Sequence, residues 1–140
     1  MKPVISSIFV VLALLVIFPC NALAVDYKIA NQMTLEWAVT APVNAGEQIE
    51  YAIYIAPSTD KPAATKLWQG PEVQYTVTLT TEGLFLFGLQ TVRLVDIGGT
   101  MTVVSQAPIG WSDDPLIAPT PFGAQHFLPP PAGSGFQPQP

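Results

Sequence analysis

From residue 33 to residue 105 the chain alternates large apolar and polar side chains in short runs, separated by proline, glycine and asparagine. In residues 33–40, Met33, Leu35, Trp37 and Val39 occupy one parity, with Thr34, Glu36, Ala38 and Thr40 on the other. Period two places the first set on one face of a half-buried strand. Pro42 has no N–H to donate, so the ladder stops there. Residues 48–56 repeat the pattern with Ile49, Tyr51, Ile53 and Ile55 inward. Residues 65–69 predict a small edge strand. Residues 74–80 predict another strand, with Tyr75, Val77 and Leu79 inward.

Residues 84–95 differ. Phe85, Phe87 and Leu89 share one face, while Leu84, Leu86, Val92 and Leu94 share the other. A strand that is apolar on both faces predicts a central position in its sheet. Gly98-Gly99 then predicts a tight hairpin, because glycine accepts positive φ without steric cost. The returning strand is expected over residues 100–105. No helical periodicity is present after residue 24. About seven strands at turn spacings near ten residues predict an all-β Greek-key sandwich.

The order of the aromatic residues sharpens this. Trp37, the run Tyr51-x-Ile53-Tyr54 and the run Phe85-x-Phe87-x-Leu89-x-Thr91 resemble the framework of the fibronectin type III family, as does the Gly98-Gly99 hairpin leading to Ser105. The resemblance covers residues 25–114. It implies an immunoglobulin-like β-sandwich in which Trp37 is a core residue. The sequence departs from the family at Phe85, where a tyrosine hydroxyl usually caps a neighbouring backbone group. The resemblance also implies a non-enzymatic module for protein–protein interaction or cell-envelope organisation.

The two ends differ in kind from this block. Lys2, the apolar run over residues 4–18, then Pro19 and Ala22-Leu23-Ala24 follow the charged, apolar and small-x-small order of a secretory signal peptide. Cleavage is expected after Ala24, leaving no membrane span and removing Cys20, the single cysteine. The expected destination is periplasmic or extracellular, from a bacterial source. Residues 115–140 hold eight of the fifteen prolines and no Asp, Glu, Lys or Arg. This composition predicts a proline-rich, disordered tail. Phe122, Phe127 and Phe136 recur through it and offer an alternative reading as a docking segment.

Charge and chemistry narrow the function. Beyond residue 24 there are four basic residues, Lys28, Lys61, Lys66 and Arg93, against ten acidic ones. Four scattered cations assemble no basic patch, so no nucleic-acid partner is expected. His126 is the only histidine and falls in the predicted tail, so a serine triad has no base in the folded region. Asp96 is read as a turn acid, and Asp113-Asp114 as a solvated domain end. Calcium requires six to eight oxygen ligands at loop spacings, which these do not supply. Glu36, Glu47, Glu50 and Glu72 are expected on outward positions or loops. No cofactor, metal or catalytic residue is expected.

The remaining candidates are aromatic. The fibronectin type III resemblance implies that the strands of Tyr54 and Trp68 are neighbours, so that the two would form one exposed aromatic patch, suited to a protein or a polysaccharide partner. This supports the alternative of a carbohydrate-binding accessory module. The competing reading has Trp68 folding over the sheet edge as rim packing.

Overall fold

The computed structural model describes residues 24–133. The apolar run over residues 4–18 and Cys20 lie outside the described residues, as does Phe136. The fold is all-β, an immunoglobulin-like sandwich of two unequal sheets. Its strands are β1 (Asp26–Ile29), β2 (Gln32–Glu36), β3 (Glu47–Pro57), β4 (Thr65–Gly70), β5 (Gln74–Thr78), β6 (Gly83–Ile97), β7 (Thr100–Gln106), β8 (Gly110–Trp111) and β9 (Phe122–His126). A single 3-10 turn, Lys61–Ala63, interrupts the β3–β4 connection.

β6 organises the larger sheet. Along one side it pairs antiparallel with β3 from Glu47↔Val95 to Pro57↔Phe85. Along the other side it meets β9, β8 and β7 in turn, at Gly83–Phe85, Gly88–Leu89 and Val92–Ile97. β4 completes the sheet beyond β3, and β1 completes it beyond β9, in parallel register. A strand flanked throughout must be apolar on both faces, and the burial of Leu86, Phe87, Val92 and Leu94 shows it. The smaller sheet is β2 paired with β5 alone. Gln32–Thr78 and Thr34–Thr76 side-chain hydrogen bonds line its exposed face at 3.2 and 2.9 Å.

The core lies between the sheets. Leu35, Val77 and Leu79 from the smaller sheet meet Ile53, Phe87 and Ala124 from the larger one. Large aromatic side chains bridge the remaining gap. Trp37 lies 5.6 Å from Tyr51 and 6.2 Å from Trp68, and Trp68 stacks on Tyr75 at 5.3 Å. Tilted and offset pairs at such separations match the quadrupoles of the rings.

The structure corrects several expectations. The strand predicted over residues 33–40 ends at Glu36. Trp37 N–H still donates to the Val73 carbonyl at 3.1 Å, but the partner strand starts at Gln74, so nothing pairs beyond. Val39, expected inward, is 74 % exposed. Thr40 N–H then donates to the Tyr51 hydroxyl at 2.6 Å. A tyrosine thus caps backbone in this protein, from β3 rather than from the position of Phe85. Glu47, expected on an outward position or loop, instead pairs with Arg93 of β6 and is largely covered.

The largest correction concerns the tail. Among the described residues nine strands form where about seven were expected, and the domain does not end at Asp114. Asp114 turns the chain, its carbonyl accepting from Ile117 and Ala118 at 2.9 and 2.8 Å. Pro115, Pro119 and Pro121 sit in this connection, where a missing N–H costs nothing. The buried Pro121 accepts from Asp26 N–H through its carbonyl at 3.0 Å, and β9 follows immediately. Ala124 is 0 % exposed between β1 and β6. Residues 127–133 carry no strand.

Two predictions follow from this architecture. A chain truncated after Asp114 loses β9, leaving β1 unpaired and the Phe87–Phe122 stack open. It is expected to lose its cooperative unfolding transition in urea, whereas truncation after Gly133 leaves the midpoint unchanged; equal midpoints for both would contradict the placement of β9. The second concerns pH. The Arg93 guanidinium, helped by hydrogen bonds from Asn44, lowers the Glu47 carboxyl from 4.5 to about 2. A carboxyl whose folded pKa is depressed contributes stability above its unfolded pKa, and that contribution is lost as pH falls through the folded value. The stability difference between wild type and Glu47→Gln should therefore be constant above pH about 4.5 and shrink towards pH about 2. Urea midpoints measured across that window check it.

Candidate functional site

Tyr54 and Trp68 do not form one surface. In the β3–β4 ladder Ile53 lies opposite Trp68, and the register shifts before Tyr54, which lies opposite Lys66. Side chains directly opposite share a face, and successive residues alternate. Trp68 therefore faces the smaller sheet with Ile53 and is half-buried against Trp37 and Tyr75. Tyr54 points to the other face and packs on Ala52, Val92 and Leu94. The shared aromatic patch is corrected accordingly: the irregularity in β4 defeats a count of parity along each strand separately.

The outer face of the larger sheet is closed around Tyr54. Its hydroxyl donates to Gln90 Oε1 at 2.9 Å, and Gln90 Nε2 donates to the Ala107 carbonyl at 2.8 Å. Trp111 of β8 lies opposite Gly88. The glycine is required by close approach, since a Cβ there would lie 2.6 Å from Ile109 Cγ2 and 3.3 Å from Trp111 Cζ3. Lys61 Nζ sits 5.8 Å from the centre of the Trp111 ring and bonds Asp113 at 2.8 Å. Trp111 thus belongs to this face.

The polar residues with catalytic potential are held by structure. Ser112 is buried, its hydroxyl accepting from Phe87 N–H at 3.1 Å. His126, expected in the tail, is 5 % exposed, with Nδ1 3.3 Å from the Ala30 carbonyl. It is buried because β9 carries it into the sheet, opposite Gly83. Asp96 Oδ1 accepts from Gly99 N–H at 2.7 Å and fixes the hairpin turn, where Gly98 and Gly99 take φ of +65° and +86°. Among the described residues no three His, Cys, Asp or Glu side chains gather as metal ligands. Nor is any helix among them long and apolar enough to cross a membrane.

What remains accessible is the strand that this turn launches. β7 is exposed along its whole length and pairs only with β6. An edge strand presents alternate N–H and C=O groups unpaired, and proteins ordinarily protect such edges with charge. β1 carries Lys28, β4 carries Lys66 and β2 carries Glu36. β7 carries none, and no charged residue occurs anywhere between Asp96 and Asp113. β5 is also uncharged but is shorter and contributes the buried Val77. Met101, Val103 and Val104 on β7 are exposed, as is Ile97 across the turn. The signal for this edge was in the sequence, as a charge-free stretch bracketed by aspartates.

The arrangement defines an all-β, immunoglobulin-like domain with an uncharged, exposed edge strand, β7, whose ladder to β6 shifts register once between Val103 and Ser105. No family model, curated protein or solved structure matches the chain.

Proposed function

We propose that the protein is a non-enzymatic exported module, of the fibronectin type III kind, that binds a protein partner by strand addition at β7. The observation that carries this reading is the uncharged, fully exposed edge of β7 with its apolar side chains. Main-chain hydrogen bonds along such an edge supply affinity, and alternate side chains supply selectivity. The matching partner is an extended, weakly charged protein segment. Engagement of Ser112 and His126 in backbone contacts supports a binding role over a catalytic one. Export to the periplasm or medium is supported by the apolar run over residues 4–18 and the Ala22-Leu23-Ala24 motif. The carbohydrate alternative relied on Tyr54 and Trp68 acting together, and their opposite orientations remove that support.

The test places lysine on the edge, the device by which edge strands ordinarily resist pairing. In Met101→Lys/Val103→Lys both substitutions fall on exposed side chains. Surface changes of this kind stay within about 0.5 kcal/mol each, so the melting temperature should move by less than about 8 °C. Wild-type protein cross-linked in its native cell envelope should retain a partner that the double variant loses. Recovery of the same partner by both proteins would contradict strand addition at β7.

A further inference from the structure

β2 pairs with β5 alone, so one of its edges is free. Trp37 N–H donates to the Val73 carbonyl, and Leu79 N–H donates to that of Asn31. The odd-numbered residues therefore turn their backbone groups towards β5. Along an antiparallel strand these groups alternate in direction. Thr34 and Glu36 thus turn their N–H and C=O groups the other way, where no strand lies. On that side a cleft of about 490 Å³ opens between the sheets. Leu35 and Glu36 line it, and no residue of β5 or β4 does. Tyr51 and Leu89 of the larger sheet form its floor, and Ile117 and Phe122 belong to the connection and strand that close the domain. A free backbone edge beside an apolar cleft has the shape left by a missing strand. A strand laid against β2 would take the free groups of Thr34 and Glu36, and its inward side chains would fill the cleft.

Charge selects which strand fits. Glu36 is exposed and is the only charged residue lining the cleft. The two ion pairs among the described residues, Lys61–Asp113 and Arg93–Glu47, leave it uncompensated. Opposite charges directly across two strands attract, and like charges repel. On an added strand the residue opposite Glu36 would share its solvent-facing side, and the residues before and after would point inward. The acid that guards this edge against indiscriminate pairing therefore also specifies a basic partner residue.

We infer that the free edge of β2 and its cleft accept an extended segment of a partner protein in which a lysine or arginine sits opposite Glu36, flanked by two apolar residues. The flanking residues enter the cleft over Tyr51, Leu89 and Phe122. This edge is separate from β7, and neither assignment depends on the other.

The probe is the peptide acetyl-Thr-Val-Lys-Val-Thr-amide, with its lysine placed to meet Glu36 and its valines to enter the cleft. It is titrated into ¹⁵N-labelled protein expressed from the whole chain and purified as the cell processes it. Salt at about 0.15 M screens the net negative charge of the chain. The amide signals of Thr34 and Glu36 should shift saturably, and scoring those two reports on β2 whatever occurs at β7. The same peptide with glutamate in place of lysine should bind about three- to tenfold more weakly. N-methylation of the lysine amide removes a donor that the ladder needs and should abolish the shifts. Glu36→Lys, on an exposed side chain, should reverse the order of the two peptides, and Glu36→Gln should bring them close together. Absence of a saturable shift at Thr34 and Glu36 up to the solubility of the peptide would overturn this assignment. So would equal binding of the glutamate or the N-methylated peptide to wild type, or a preference for lysine that is the same in both variants as in wild type.

Discussion

A sheet of two strands cannot cover a sheet of seven, and most of the structure answers that mismatch. Stacked sheets sit about 10 Å apart and bury only the faces that oppose each other. Here β2 and β5 place Leu35, Val77 and Leu79 over the middle of the β3–β6 ladder. Beyond that footprint large rings extend the cover. Trp37, Trp68 and Tyr75 pack side by side where a third strand would otherwise be needed. On the opposite face, Tyr54, Trp111 and the connection through Ala107 close over Ala52, Val92 and Leu94. The chain after β8 wraps back through Pro121 and inserts β9 between β1 and β6. Where none of these devices reaches, the inter-sheet cleft remains.

The same mismatch separates what could be read in the sequence from what could not. β3 and β6 were legible because each alternates over many residues, and their observed bounds differ from the predicted ones by one or two positions. β9 was hidden by its composition. Phe-Gly-Ala-Gln-His offers one large apolar side chain, and Pro119 and Pro121 lie just before it. It is a strand because Gly123 and Ala124 are small enough to fit between β1 and Phe85, a tertiary reason that local propensity does not carry. β1 was hidden similarly, since it is four residues long and gains its stability only from parallel pairing with β9. The direction of Trp68 depended on one register shift in β4. The cleft depended on the relative width of two sheets, which no local pattern encodes.

Function follows from what the packing leaves undone. The aromatic residues Tyr54 and Trp68 are used in closing the outer face and in holding the sheets together. His126 and Ser112 are likewise drawn into backbone contacts. The β6–β7 hairpin extends past the cover of the smaller sheet, so β7 keeps its backbone edge and apolar side chains in solvent. Exposure of an uncharged edge carries an aggregation hazard unless a partner uses it, and this is the physical reason for assigning recognition to β7.

One core runs from β1 through β9 while β7 stays open. Residue-resolved amide hydrogen exchange on the isolated protein tests both halves at once. The amides of Ile53, Phe87 and Ala124 should exchange only by global unfolding, with equal protection, while alternate amides of β7 exchange rapidly. Exchange of Ala124 as fast as residues 127–133 would show that β9 is not part of the core. Uniform protection of β7 in the isolated protein would show that its edge is already covered.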